Sequence, residues 1–268
     1  MVRPEKITIP LLRKMKKDGE KIACLTAYDW MMASLLDTVG IDLILVGDSG
    51  AMVFAGHETT LPITMDQMLY HTQAVSRGVK HALIIADMPF LSYQTSSEKA
   101  IENAGRFLKE GGADGVKIEG GEPMAETIHK LVDVGIPVMG HLGLTPQSIH
   151  AFGGYRLRGK GTKEAEGLKH DAKILEQAGV FSIVLEKIPV SLAEEITKSV
   201  SIPTIGIGAG PHCDGQILVT HDMLGLFETF KPKFVRRYAE LAQIIRDATE
   251  RYIKDIKQGK YPSKEESY

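Results

Sequence analysis

Cysteine is scarce in this chain: of 268 residues, only Cys24 and Cys213 carry a thiol. Two cysteines cannot build a disulfide framework, and neither sits in a zinc-motif spacing. Cys24 lies within an apolar strand pattern and reads as a small core residue. Excess charge is missing too. A formal net charge of -2 gives no electrostatic pull toward nucleic acid or an anionic membrane. No apolar run is long enough to span a bilayer, and Met1-Val-Arg-Pro-Glu-Lys6 lacks the apolar stretch of a secretory signal. A cytoplasmic protein with neither nucleic acid nor membrane as partner is expected. No repeat at a solenoid period and no linker-like break in composition are present.

What is present is a succession of short apolar runs, each ending on a polar residue. Asp42-Leu-Ile-Leu-Val-Gly47 stops at Asp48, and Ala82-Leu-Ile-Ile-Ala86 stops at Asp87. Gly115-Val-Lys-Ile118 stops at Glu119, Ile136-Pro-Val-Met-Gly140 at His141, and Val180-Phe-Ser-Ile-Val-Leu185 at Glu186. Short buried strands separated by helix-length segments predict a parallel α/β sheet. Strands are expected at 21–27, 42–47, 82–87, 114–119, 136–141, 180–186, 203–208 and 216–220. Amphipathic helices are expected near 29–39, 64–78, 97–110, 123–134, 163–178 and 190–200. About eight strands alternating with helices favour a single-domain (β/α)8 TIM barrel spanning 1–268 over an open doubly wound sheet. A short helix over about 9–18, with Pro10 near its start and Gly19 past its end, is placed to plug the barrel bottom. A helical extension over 233–256 puts Phe234, Tyr238, Leu241, Ile244, Ile245, Tyr252 and Ile256 near one face and should pack on the barrel. From about 257 the polar tail should fray.

In such folds the active site lies at the carboxyl ends of the strands, so the five polar ends point into one mouth. Adjacent strands are ~4.8 Å apart, which lets Asp48, Asp87 and Glu119 converge. Three clustered carboxylates repel unless a cation or protons compensate, and hard oxygen donors without cysteine suit Mg2+. The competing reading is that each acid simply caps the helix that follows. Lys117, two residues before Glu119, shares its inward face. It can bind a substrate oxyanion, form a Schiff base, or pair with a neighbouring acid. His141 can donate to substrate, bind metal, act as an acid, or be a satisfied core residue. Glu186, outside the acid cluster, suits a general base, against an exposed acid beside Lys187. Two connections are long, about 49–62 and 143–161. The second holds Phe152-Gly-Gly-Tyr-Arg-Leu-Arg-Gly-Lys-Gly161, a candidate lid in which Arg156, Arg158 and Lys160 can meet an anionic ligand. Gly206-Ile-Gly-Ala-Gly210 is a weak phosphate-turn candidate, explained equally by close backbone packing.

Longer strings carry a resemblance. Gly47-Asp-Ser49, Met52-Val53, Gly56-His57, Thr60-Leu-Pro-Ile-Thr64 and Ala86-Asp-Met-Pro-Phe90 resemble the ketopantoate hydroxymethyltransferase family. So do Val116-Lys-Ile-Glu-Gly-Gly121, Gly140-His-Leu-Gly-Leu-Thr-Pro-Gln-Ser148, Phe152-Gly-Gly-Tyr155, Ile205-Gly-Ile-Gly-Ala-Gly210 and Asp214-Gly-Gln-Ile-Leu-Val219. The resemblance covers nearly the whole chain. It implies a (β/α)8 barrel joining 3-methyl-2-oxobutanoate to the one-carbon unit of 5,10-methylenetetrahydrofolate, through a Mg2+-stabilised enolate. The implied product is 2-dehydropantoate, on the route to pantothenate and coenzyme A. It further implies Asp48, Asp87 and Glu119 about Mg2+, Ser49, Lys117 and His141 around the keto acid, and Glu186 as base. A large homo-oligomer, often a decamer, is implied as well. Three competitors remain: a Mg2+-dependent 2-oxo acid lyase or mutase of the isocitrate lyase-like type, a Schiff-base aldolase through Lys117, and a non-catalytic binding protein.

Overall fold

The computed structural model describes residues 5–268; the first four residues of the amino-terminal segment lie outside the described residues. Eight parallel strands close into a barrel in chain order: β1 (Ile22–Thr26), β2 (Leu43–Val46), β3 (Leu83–Asp87), β4 (Gly115–Glu119), β5 (Val138–Gly143), β6 (Ser182–Glu186), β7 (Thr204–Ile207) and β8 (Gly215–Leu218). Because β8 pairs with β1 through Ile22 and Gly215, the open-sheet alternative is excluded. The helices around it are α1 (Ile9–Asp18), α2 (Trp30–Thr38), α3 (Gly50–Val53), α4 (Met65–Gly78), α5 (Ser97–Lys109), α6 (Ala125–Asp133), α7 (Ile149–Phe152), α8 (Thr162–Gln177) and α9 (Val190–Ser199). Their starts follow the local chemistry. Thr64 and Gln67 form a reciprocal capping box at α4, and Ser96, one residue before the expected Ser97, caps α5.

Two expected strands are displaced: β8 starts one residue and ends two residues early, and β5 moves the other way. β5 runs over 138–143 instead of 136–141, since the Pro137 ring removes a ladder donor and Pro137 only accepts, from Val116 N at 3.0 Å. Its far end is Gly143, with φ 94°, where a Cβ would lie 2.2 Å from the Glu186 carbonyl oxygen. That close approach lets Leu144 N donate to Glu186 O at 2.8 Å, so the ends of β5 and β6 are stitched together.

Two apolar layers result. One fills the space between strands and helices; the other fills the barrel and includes Leu43, Leu83, Ile85, Met139, Val184 and Cys24. Helix α1 closes the bottom. Thr8 caps it, Gly19 ends it in the left-handed conformation, and Leu12 and Met15 are buried in the barrel-filling layer. Each such side chain is worth roughly 1.5–3 kcal/mol when fully buried. Lys16 Nζ locks the plug by donating to Thr197 O, Ile202 O and Asp214 Oδ2 at 3.0, 2.9 and 2.9 Å.

The chain divides into two compact units, one ending at Leu218 and containing the barrel, the other Val219–Tyr268. The second holds α10 (Thr220–Met223) and α11 (Leu241–Lys257). The helix expected over 233–256 begins only at Leu241. Before it, Tyr238 N and Leu241 N donate to Met223 O and Leu224 O, so the chain runs along the end of α10 instead of coiling. Helix α11 carries Ile244, Ile245, Tyr252 and Ile256 as exposed residues. Past it the tail is irregular apart from a turn in which Ser263 N donates to Glu266.

At the bottom, the buried Asp37 carboxylate accepts the backbone N–H groups of Lys80, His81 and Ala82 at 3.0, 3.0 and 2.8 Å. Burial pushes its pKa up, but these donors outweigh burial and hold it below the ordinary value. Asp37→Ala should therefore cost about 1–3 kcal/mol by leaving donors unpaired, read as a lower urea midpoint at neutral pH. A depressed folded pKa means the contribution is present above the unfolded value of about 4 and is lost as pH falls through the folded one. The gap between wild type and variant should close in acid; a gap unchanged at low pH would assign the loss to packing instead.

Candidate active site

The barrel register assembles the mouth. Asp87 on β3 pairs with Lys117 on β4, and Glu119 pairs with His141 on β5, while Glu186 ends β6 beside Gly143. Asp48 lies two residues past β2, and its backbone N–H donates to Asp87 Oδ2 at 2.9 Å. Lys117 Nζ stands 3.1 Å from Asp87 Oδ1 and 3.9 Å from Glu119 Oε1. It also contacts His141 Nδ1 at 2.9 Å, and His141 Nε2 lies 3.3 Å from Glu186 Oε2. Six of the seven residues expected at the site thus form one connected cluster. Ser49 stands beside it: its hydroxyl meets Tyr28 OH at 2.9 Å. Gly50 permits this, since a Cβ there would be 2.9 Å from the Tyr28 ring.

The cluster is almost sealed from solvent, with Asp48, Asp87, Lys117, Glu119 and His141 all buried. Burial drives the Lys117 ammonium toward neutrality, but Asp87, Glu119 and Asp48 outweigh it and hold its pKa above the ordinary value. The acids are pushed the other way. Burial raises Glu119 to about 7, against the opposing pull of Lys117 and the Gln147 backbone N–H. Burial, then Asp87 and Glu119, raise Asp48 well above the carboxylate range, and burial raises Asp87 despite Lys117. His141 is lowered by burial and by Lys117, which keeps the ring neutral. With the ammonium donating to Nδ1, the ring proton is assigned to Nε2, facing Glu186. Asp87 Oδ1 and Glu119 Oε1 are buried without a well-aligned hydrogen bond. Lys117 stands between these oxygens, and among the described residues no three His, Cys, Asp or Glu side chains already close around a metal-sized point.

Sequence reasoning missed three residues here. Tyr28 supports Ser49; Gln147 binds two of the acids, and Tyr93 binds Gln147 and the Glu119 backbone. Gln147 Nε2 donates to Asp48 Oδ2 and Met88 O, both at 2.9 Å, and its backbone N–H donates to Glu119 Oε2 at 3.0 Å. Tyr93 OH donates to Gln147 Oε1 at 2.8 Å and accepts from Glu119 N at 3.2 Å. The string Gly140 to Ser148 contains Gln147, but its partners lie up to 99 residues away, beyond any local pattern.

Both long connections border the mouth. Tyr155 OH approaches Met52 Sδ at 3.7 Å, joining the loop after β5 to α3, and Lys187 Nζ contacts Tyr155 O. Arg158 stacks on Phe152 at 3.7 Å and pairs with Glu164 at 2.5 Å, so it serves the loop itself. A recess of about 280 Å³ at Gly159, Lys160, Thr162 and Leu192 lies outside the acid cluster, and Lys169 there is paired with Glu166 and Glu195. The glycines from Gly206 to Gly210 serve packing: a Cβ on Gly206 would meet Cys213 Sγ at 3.0 Å, and one on Gly210 would meet Val190 at 2.7 Å.

A closed parallel barrel whose strand ends gather acids, an ammonium and a neutral imidazole defines a (β/α)8 enzyme with a charged mouth. Solved structures share this fold at low identity. Phosphonopyruvate hydrolase, in complex with oxalate and Mg2+, aligns with a TM-score of 0.63 and 14% identity over 96% of this chain and 92% of that one. A 2,3-dimethylmalate lyase of the PEP mutase/isocitrate lyase superfamily aligns with a TM-score of 0.62 and 16% identity over 99% and 93%. The narrower relationship lies in sequence. The chain belongs to the ketopantoate hydroxymethyltransferase family, whose profile matches residues 6–264. It is 58% identical over 266 residues to the 3-methyl-2-oxobutanoate hydroxymethyltransferase of Prosthecochloris aestuarii, covering 98% of this chain and 96% of that one. The protein of the same name from Syntrophus aciditrophicus is 56% identical over 263 residues, covering 98% and 97%.

The Lys117 ammonium is the cation that the described cluster places among its acids. Lys117→Met should destabilise the metal-free protein by about 3–5 kcal/mol, since it strands buried carboxylates. Urea denaturation in chelator measures this; a loss below about 1 kcal/mol would mean the acids are already protonated.

Proposed function

We propose that this chain transfers the one-carbon unit of 5,10-methylenetetrahydrofolate to 3-methyl-2-oxobutanoate, giving 2-dehydropantoate, the first committed step toward pantothenate and coenzyme A. The reading is carried by one juxtaposition: a buried acid cluster around Lys117, joined through His141 to the carboxylate of Glu186. The names of the relatives agree with it.

The donor set fits Mg2+. Asp48, Asp87 and Glu119 offer hard oxygens, and two of these oxygens are buried without a well-aligned hydrogen bond. Three ionised carboxylates against one ammonium leave two negative charges, matching a divalent cation. Burial raises the pKa values of all three acids, and repulsion from neighbouring acids adds to it at Asp48 and Asp87. When bound, the ion supplies Lewis-acid stabilisation of charge developing on the 2-oxo group. Lys117 and Ser49 hold the keto acid's carboxylate, and the neutral His141 donates from Nε2 toward the reacting region. Glu186 takes the C3 proton. A carbon–carbon bond then forms between C3 and the methylene carbon, water supplies the hydroxyl, and tetrahydrofolate leaves. The loop carrying Tyr155 limits water entry over the mouth. Two free, buried cysteines support a cytoplasmic location, and exposed Trp30, Met31 and Leu35 on α2 support assembly into a homo-oligomer, with the decamer of the family resemblance as its form. Among the described residues no helix is long and apolar enough to cross a membrane.

A second reading, a Mg2+-dependent 2-oxo acid lyase or mutase, shares the fold of the solved structures. Proton NMR of the protein with both substrates and Mg2+ separates the two. The hydroxymethyl signal of 2-dehydropantoate should appear with folate and vanish in excess chelator; turnover of a 2-oxo acid without folate would favour the second reading.

The base assignment has its own test. Glu186→Gln should bind 3-methyl-2-oxobutanoate with near-normal affinity while solvent exchange at C3 falls roughly 10²–10⁴-fold. Exchange at the wild-type rate would remove Glu186 from the base role.

A further inference from the structure

The acids at the mouth are held by a residue that carries no charge. Gln147 follows Pro146 in the 3-10 turn after β5 (Pro146–Ser148), and this turn carries its buried side chain back across the ends of β2, β3 and β4. Its amide oxygen accepts from Tyr93 OH at 2.8 Å and Gln94 Nε2 at 3.0 Å. Two donors on that atom fix which way the amide faces, so Nε2 points at Asp48 Oδ2 and Met88 O. The backbone N–H of the same residue takes Glu119 Oε2. One residue therefore grips one oxygen of each of two acids, Asp48 just past β2 and Glu119 at the end of β4. The other Glu119 oxygen, Oε1, is left buried and without a well-aligned hydrogen bond, 3.9 Å from Lys117 Nζ.

We propose that Gln147 is a positioning residue that sets the spacing of Asp48 and Glu119 for a divalent cation, with Tyr93 locking its amide. The inference rests on the metal reading above. Neutral donors orient carboxylates without cancelling the charge that attracts the ion. An arginine or lysine in this position would neutralise the site it shapes, and a glutamate would add repulsion beside Asp48.

The test uses the full chain stripped of metal and titrated with Mn2+, followed by loss of the free-ion EPR signal, with Mg2+ as competitor. Gln147→Met keeps the backbone bond to Glu119 and removes both amide donations. It should bind the ion 10- to 100-fold more weakly, the range found for outer residues of metal sites. Saturating Mg2+ should return kcat to within a few-fold of wild type, a rescue that a merely unstable variant would not show. Tyr93→Phe keeps both Gln147 donations but removes the lock, together with the acceptor for the Glu119 N–H, and should weaken ion binding several-fold; it decides the matter if Gln147→Met does not fold. Ion binding within twofold of wild type in the folded variants would overturn the assignment. A wild type that binds no Mn2+ would instead overturn the metal reading beneath it.

Discussion

Unbalanced negative charge in a sealed space is the constraint around which the upper half of this barrel is organised. Like charges ~4 Å apart cost on the order of 4 kcal/mol even at an effective dielectric of ~20. One ammonium, 3.1 Å from Asp87 and 3.9 Å from Glu119, offsets part of the repulsion among three acids but not all of it. Burial raises the carboxyl pKa values of Asp48, Asp87 and Glu119, and the uncompensated repulsion adds to it at Asp48 and Asp87. Strand register makes the arrangement tolerable, because it alternates the groups: Asp87 beside Lys117, Glu119 beside His141. A slip of one residue would turn every one of these side chains to the other face of its strand.

The barrel separates this frustrated region from the contacts that stabilise it. At the bottom, α1 inserts Leu12 and Met15 and is locked by three bonds from Lys16, while Asp37 ties the entry to β3. Leu43, Leu83, Ile85, Met139 and Val184 belong to the apolar packing inside the barrel. The top borrows stiffness from the strands and adds local strain of its own. Lys187, directly after Glu186, holds φ at 49°, a left-handed conformation unusual for a side chain-bearing residue. Its N–H donates to Ile207 O and its carbonyl accepts from Arg158 N, so the turn that aims Glu186 also anchors the loop carrying Tyr155.

Much of this was legible in the sequence, and the reason is periodicity. An apolar run that ends on Asp, Glu or His states both where a strand stops and that a polar group waits at its end. All eight expected strands and the short bottom helix are present, with ends displaced by no more than two residues. The two-residue spacing of Lys117 and Glu119 correctly put both on one face. Less legible was anything set by partners distant in sequence. Tyr28, Tyr93 and Gln147 sit in segments whose local pattern says only turn or loop. The apolar spacing over 233–256 promised a longer helix than the one from Leu241, because backbone bonds to Met223 and Leu224 engage the preceding stretch first.

The contrast between Asp37 and Asp87 shows what separates a structural acid from a reactive one in the same fold. Both side chains are about 4% exposed. Asp37 receives three backbone N–H groups and the His81 ring, and its pKa falls below the ordinary value despite burial. Asp87 receives one backbone N–H, from Asp48; burial, and after it Glu119, outweighs this donor and the Lys117 ammonium, and the pKa rises. Full satisfaction spends a carboxylate on the fold. Partial satisfaction, by donors that add no charge, fixes where the group points yet leaves an oxygen and most of its field available. Gln147 and the Asp48 backbone supply that kind of donor at the mouth, whereas the bottom of the barrel leaves its acid nothing further to bind.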